Sequence, residues 1–510
     1  MDNLNAEYLK YAPDTVLTSV ADLLNKTADT GDFPEELKLG ILNPLPKPNK
    51  KKGPAENLRP IILLSVIRKI LTICMLRRTW DRMKTKIPVD QAAYQQGRST
   101  TEQVFAIKML AEKAVISSDF KIYILLLDMS KAFDTVDRNK LFDSLEDILL
   151  PEELHLLHIL TNNVKLRVRV GAECGTDFTT LLGIMQGDCL SAILFIYYLA
   201  QALAHRNPIE SEHNYAQASD RNTNRSEHVL TEHSYAEASD LAPRNIIPEN
   251  PVCTIEPKYA DDITYASTSQ RFIDNTEETI PAKLQDYNLG VNHTKTEKFT
   301  APDSPETAAK DSWKTCKLLG SLLDTEKDIT RRKTLAIATA KKYKNIYSSK
   351  NLSILQKTRH FKMFIESTLL YNCELWTMTK TLNDRIDAFQ RRMLRYAIGI
   401  RYPKVINNEA IYEVTKCKKW STTITQRRLS WFGHLMRLPA ETPARIAFAE
   451  ALKPARRRRG RPRTIWTNVI QNDLNTAKIN IDLSATDAIQ KLEKLCKERD
   501  DYKRITRVKH

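Results

Sequence analysis

Two short segments limit what this chain can fold into. Lys121-Ile-Tyr-Ile-Leu-Leu-Leu-Asp128 is an apolar run that ends on a carboxylate, and Tyr259-Ala-Asp-Asp262 sets two carboxylates side by side. A strand covered on both faces reads as continuous rather than alternating apolar sequence. The flanks of the second segment, Lys258 and Ile263-Thr-Tyr265, fit two short strands joined by a turn. Taken alone, Asp-Asp reads as a surface hairpin turn. Adjacent carboxylates repel, however, and are costly unless a cation binds. Beside a third carboxylate on a neighbouring strand they make an oxygen-lined site for hard divalent ions, typically Mg²⁺. Two such ions about 3.5–4 Å apart clamp the oxygens of an in-line phosphoryl transfer.

The rest of the chain supplies the surroundings. Residues 6–39 carry apolar side chains at helical spacing, and Gly40-Ile-Leu-Asn-Pro-Leu-Pro-Lys-Pro48 reads as a strand entering a loop. An amphipathic helix is expected over Ser65–Met83. The stretch Cys189–Ala204 is interrupted by Ser191 and Gln201 and falls short of the roughly 20 residues of a bilayer span, so it reads as a buried helix. Residues 205–250 are polar and contain a local duplication: Ser211-Glu-His-Asn-Tyr-Ala-Gln-Ala-Ser-Asp220 recurs as Thr231-Glu-His-Ser-Tyr-Ala-Glu-Ala-Ser-Asp240. Two copies do not make a solenoid, and the segment reads as an insertion. Its His205, His213, His228 and His233 match no usual metal-ligand spacing. From about 327 the pattern is mainly helical.

Charge points to the partner. With 78 Lys and Arg against 62 Asp and Glu the chain carries +16, and a surplus of that size favours a phosphate backbone. Much of it lies in 453–510, which includes Arg456-Arg-Arg-Arg-Gly-Arg-Pro-Arg463. Phosphate contact through Arg456, Arg457, Arg458, Arg459, Arg461 and Arg463 is the first reading. A nuclear localisation signal, a minor-groove hook and a solvated tail are the others. The eight cysteines are scattered without Cys-x-x-Cys, which suggests free thiols rather than zinc or a disulfide framework.

These segments resemble the ordered motifs of reverse transcriptases, in particular those of non-LTR (LINE-type) retrotransposons. Leu127-Asp128-Met-Ser-Lys-Ala-Phe-Asp134 is similar to the first catalytic motif, Gly183-Ile-Met-Gln-Gly-Asp-Cys-Leu-Ser191 to the second and Tyr259-Ala-Asp-Asp262 to the third. Upstream, Pro46-Lys-Pro48 and Leu58-Arg-Pro-Ile61 resemble the fingers motifs, and Gln91 with Gly97-Arg-Ser-Thr100 resembles the family's next stretch. Downstream, Leu289-Gly-Val-Asn292 with Lys295-Thr-Glu297 resembles the fourth palm motif, and Leu318-Leu-Gly320 the primer-grip hairpin. Any one of these is weak; the whole series in order is specific.

The resemblance implies an α+β right-hand polymerase. An N-terminal helical extension (1–40) would precede fingers (41–120), a palm (121–310, with the 205–250 insertion) and a primer grip with thumb (311–400). A helical C-terminal region (401–452) and a basic tail (453–510) would complete the chain. It implies two Mg²⁺ ions, with Mn²⁺ as an alternative, held by Asp128 and Asp261 with Asp262 in support. Lys47 and Arg59 would meet the nucleotide triphosphate, and Gln186 and Gly187 would floor the nucleotide. Phe133 would exclude the 2′-hydroxyl of ribonucleotides, with ordinary core as its other reading. Lys295 would protonate pyrophosphate, with a solvated surface lysine as the other reading.

Implied partners are an RNA template, a DNA primer or nicked target DNA, and deoxynucleoside triphosphates; no membrane partner is implied, and protein partners are unspecified. Nucleus and cytoplasm are the expected locations, since no signal peptide or transmembrane pattern occurs. No upstream endonuclease pattern is found, so target nicking is expected to come from elsewhere. Ala192, where the family usually has proline, and Pro257, before the third motif, depart from the pattern. A catalytically silent remnant that binds nucleic acid is the rival expectation.

Overall fold

The computed structural model describes residues 4–32, 34–47, 51, 53–162, 164–204, 252–401 and 403–507. The duplicated insertion with its four histidines, and Pro48 of the Pro-Lys-Pro segment, lie outside the described residues. The fold is α+β, and the chain divides into two units: residues 1–86, 133–253 and 278–289, and residues 87–132, 254–277 and 290–510.

In the first unit a four-stranded sheet runs in the order Leu58–Leu63, Leu39–Pro46, Lys165–Val170, Glu173–Thr179. Proline cannot donate to a ladder and is confined to edges. Pro60 lies on the edge strand opposite Pro44, and Pro44 lies beyond the stretch Leu39–Leu42 that pairs in parallel with Lys165–Val168. Under the sheet Ile62, Leu64, Val164, Leu166 and Met185 form a small core. Helix Val66–Lys84 starts at Ser65, whose hydroxyl accepts from the Arg68 amide at 3.1 Å. It packs on the helix Cys189–Ala204, which is buried almost all round, as its apolar sequence requires. No helix among the described residues is long and apolar enough to cross a membrane.

The second unit is built on an antiparallel sheet ordered Glu297–Ala301, Ile122–Leu127, Asp262–Ser267, Thr254–Ile255, with Lys258–Tyr259 also on the third strand. The apolar run of the sequence takes the second position, where Ile122, Ile124, Leu125 and Leu127 are buried. Pro257 falls in the break between the two short pieces at the sheet edge, and its carbonyl still accepts from the Thr264 amide at 3.0 Å. Helix Thr100–Ile116, grouped with the fingers on sequence, packs in this unit. It opens with a capping box between Ser99 and Glu102 and contacts the strands Ile122–Leu127 and Glu297–Ala301.

The C-terminal segment is not a free basic tail. Trp466, Val469, Ile470 and Leu474 occupy one face of the helix Trp466–Thr476 and are buried. The Trp466 ring meets Phe105 at 4.8 Å between centroids, and Phe105 also meets Trp431 at 5.6 Å. Net charge averaged over 453–510 masks this apolar spacing. A further core, including Phe361, Trp376, Ile386 and Trp420, holds the helices between 325 and 424 together.

Candidate active site

Tyr259-Ala-Asp-Asp262 forms a tight hairpin turn, with Lys258 paired to Ile263 and Tyr259 to Asp262. Ala260 takes φ 55°, a left-handed backbone that a non-glycine residue adopts only when its surroundings hold it there. Gln91, 2% exposed, does the holding. Its Oε1 accepts from the Ala260 amide at 2.9 Å and the Ala93 amide at 3.0 Å, and its Nε2 donates to the Ala260 carbonyl at 3.4 Å. Lys258, buried beside the turn, donates to Asp90 Oδ2 at 2.5 Å and pairs with Glu256 Oε2 at 3.2 Å. Burial works against its charge, but the two carboxylates outweigh that and hold the ammonium above the usual lysine range.

Strand register brings the other groups in. Leu127 pairs with Ile263, and Leu126 pairs with Glu297. Carried on past the strand ends, those ladders set Asp128 level with Asp262 on one side and Lys295 on the other. The chain is fixed there by the Asn292 amide, which donates to the Asp128 carbonyl at 2.7 Å, and by Val291 pairing with Met129. Lys295 Nζ donates to Asp128 Oδ2 at 2.6 Å. Thus Asp128, Asp261, Asp262 and Lys295 share one end of the sheet.

Electrostatics record that proximity. Asp262 is exposed to solvent, yet the surrounding protein displaces part of its water. That partial burial, then the charges of Asp261 and Asp128, push its carboxyl up to about 6, while Lys295 pulls it down. Burial, followed by Asp261 and Tyr259, likewise raises the Tyr94 phenol. Among the described residues no three His, Cys, Asp or Glu side chains are gathered tightly enough to hold an ion by themselves. The donor set still suits a hard cation, because three carboxylates of which one is driven toward its neutral form are stabilised by added positive charge.

The expected nucleotide-binding residues belong to the first unit. Gln186 and Gly187 lie against the strand Leu58–Leu63: the Gln186 carbonyl accepts from the Ile62 amide at 2.7 Å, and Gln186 Nε2 donates to Asp134 Oδ1 at 3.1 Å. Gly187, at φ 128°, faces the Ile62 carbonyl so closely that no side chain fits. Gly183, at φ 81°, also lies too close to the backbone of Asp134 for a side chain. Those two close approaches account for both glycines of the second motif. Phe133 is half-buried and stacks on Phe195 at 4.5 Å, so its ring has a fixed plane. Lys47 Nζ donates to the Glu56 carbonyl at 2.8 Å, and Arg59 is exposed on its strand.

The arginine run lies in the second unit as an ordered strap. The Arg456 carbonyl accepts from the Ser118 amide at 2.8 Å, and the Arg458 amide donates to the Ile116 carbonyl at 2.9 Å. Gln91, Tyr94 and Lys258 have no role legible in the sequence. Gln91 matches a motif position, but nothing in its local sequence announces a clamp on residues far along the chain.

Residues 45–220 match the family model described as reverse transcriptase (RNA-dependent DNA polymerase). The match takes in Asp128 and ends before Asp261. A probable RNA-directed DNA polymerase from transposon X-element of Drosophila melanogaster is 23% identical over 418 residues, 77% of this chain and 41% of that protein. The RNA-directed DNA polymerase from mobile element jockey of the same fly is 23% identical over 206 residues, 40% of this chain and 22% of that protein. The chain therefore spans less than half the length of these relatives. Among solved structures, apo telomerase from Candida Tropicalis aligns over 95% of this chain and 74% of its own, at 13% identity and a TM-score of 0.39. Over residues 45–220 the chain is thus similar to reverse transcriptases, and over most of its length it is related in sequence to an RNA-directed DNA polymerase of a transposon.

Proposed function

We propose that the protein is an RNA-directed DNA polymerase that adds deoxynucleotides to a primer 3′-hydroxyl, copying an RNA template. The observation that carries this reading is the row of Asp128, Asp262 and Lys295 at one sheet end, with the clamped Asp261 turn beside it. Two divalent cations, Mg²⁺ or alternatively Mn²⁺, fit Asp128 and Asp261 with Asp262 in support, and would supply the charge that phosphoryl transfer needs.

The chain's own residues divide the remaining work. Asp128, Asp261 and Asp262 concentrate negative charge where the cations are required. Lys295 keeps an ammonium at that row, where it can give a proton to departing pyrophosphate. On the resemblance, Lys47 and Arg59 meet the triphosphate, Gln186 and Gly187 floor the nucleotide, and the plane of Phe133 screens the 2′ position. Arg456, Arg457, Arg458, Arg459, Arg461 and Arg463 add phosphate contacts. Template RNA, an annealed or nicked DNA primer and deoxynucleoside triphosphates are the proposed partners, in nucleus and cytoplasm.

Primer extension on poly(rA)/oligo(dT) with Mg²⁺ or Mn²⁺ tests the reading. Extension by the parent, with nearly complete loss in Asp128→Asn and Asp261→Asn and retained template binding, is expected. Near-normal extension by either variant would remove the assignment of the carboxylates.

A further inference from the structure

The arginine strap does more than add diffuse charge. It runs antiparallel to the end of helix Thr100–Ile116, with Arg457 bridged to Ser117 and Arg458 Nε donating to the Ser117 carbonyl at 2.8 Å. Behind it Trp466 is fully buried, and its amide donates to Glu112 Oε2 at 2.6 Å. Along it Arg456, Arg457, Arg458, Arg459, Arg461 and Arg463 are exposed, so the strap presents a row of guanidinium groups to solvent.

Those arginines line a cavity of about 820 Å³. Arg457, Arg459, Arg461 and Arg463 line it together with Lys314, and Asp303 is the one carboxylate among the described lining residues. Asp303 is already engaged, accepting from the Ser312 hydroxyl at 2.8 Å and the Trp313 amide at 3.2 Å. Ile116, Pro302 and Ile465 give the cavity apolar surface. Asn468 and Asn472, on the helix after the strap, add amide groups that can hydrogen-bond to base edges.

Its position is informative. Pro302 and Asp303 come directly after the strand Glu297–Ala301, in which Ala301 pairs with Ile122 and Glu297 with Leu126. The cavity therefore opens at the end of the sheet opposite Asp128, roughly 20 Å away along the strands at about 3.4 Å per residue. We propose that it is a second nucleic-acid site, which takes a short single-stranded run of nucleotides by its phosphates. The volume is that of pockets for ligand-sized groups, about 300–1,000 Å³. A few unpaired nucleotides enter such a space, whereas a double helix does not. Mixed cationic and apolar lining is what sequence-tolerant single-strand binding uses.

The site stands independently of the carboxylate chemistry, and the experiment keeps the two apart. Fluorescence anisotropy with labelled oligo(U), oligo(dT) and a duplex, each about 20 nucleotides long, is measured against salt. The proteins are the full chain, Arg459→Gln/Arg461→Gln/Arg463→Gln, and Asp128→Asn. The triple variant is expected to bind single strands at least tenfold more weakly. Its log–log salt slope should be shallower by about 2, at about 0.7 per phosphate contact. Asp128→Asn should bind as the parent does, whether or not any protein extends a primer. An unchanged affinity and slope in the triple variant would overturn the site, and so would an equal loss on duplex, which marks a general charge effect. Displacement by inorganic phosphate at matched phosphate concentration would mean a lone-anion pocket and overturn the strand assignment. Should the triple variant melt early, photocrosslinking of 4-thiouridine oligonucleotides to the parent decides: crosslinks within 457–472 support the site, and crosslinks confined elsewhere refute it.

Discussion

Lys295 is bonded to Asp128, Nζ to Oδ2 at 2.6 Å, because the ladders on both sides of the strand Ile122–Leu127 run in step to the end of the sheet. A general-acid candidate and a metal-ligand candidate far apart in sequence thereby share one hydrogen bond. The pair is only partly covered, with the lysine side chain 54% exposed and the aspartate 29%. Such pairs stabilise by about 0–1 kcal/mol.

That weak stabilisation separates structure from chemistry. Lys295→Ala should leave the melting temperature within a few degrees of the parent while lowering kcat for primer extension by about 10²–10⁴. Single-turnover incorporation and thermal melts check this. A severalfold loss of rate would return Lys295 to the role of a surface lysine.

Asp262 predicts a pH effect of definite sign. Its carboxyl sits at about 6 in the folded chain against an ordinary aspartate value of 3.8. The folded state therefore binds more protons than the unfolded one between those values, and stability from this group falls as pH rises through the window. In chelator, Asp262→Asn should raise the melting temperature at pH 7 and lose that advantage near pH 4. An advantage independent of pH would show that charge repulsion at the turn is not its source.

Gln91 is a positioning residue. Gln91→Ala leaves the Ala260 amide without its acceptor at a buried site, a loss of about 1–3 kcal/mol. It should reduce kcat more than KM for the nucleotide, since the side chain supports the Asp261 turn. A pure KM effect would contradict this.

Phe133 stacks on Phe195, and the ring pair is worth about 0.5–1.5 kcal/mol. Phe133→Val should cost about 1–3 kcal/mol, the stacking together with the ring area no longer buried. If the ring screens the sugar, the ratio of ribo- to deoxyribonucleotide incorporation should rise at least tenfold; an unchanged ratio makes Phe133 ordinary core.

Trp466 ties the C-terminal segment to Phe105. Trp466→Ala should destabilise by about 3–5 kcal/mol. Truncation at 453 should expose the same apolar face and cause loss of cooperative melting in addition to weaker nucleic-acid binding. A truncation that melts as the parent does would show that the segment folds apart from the rest.

The sequence by itself determined the local elements and the chemistry they bring. An apolar run ending in Asp128 reads as a buried strand, Cys189–Ala204 as a core helix, and Asp261-Asp262 as a turn, because each depends on neighbours within a few residues. Gly183 and Gly187 are visible as motif positions, but only the packed chain shows the Asp134 and Ile62 backbones that forbid a side chain there. Tertiary structure alone decided which distant residues serve the turn. Gln91 clamps Ala260, Asp90 holds Lys258, and the register sets Lys295 at Asp128. Pairing between strands is fixed by the packing of whole faces, which no local pattern encodes. The same holds for the last 58 residues: their charge is plain in the sequence, but the cavity their arginines line with Ile116, Pro302 and Lys314 appears only once distant segments are packed together.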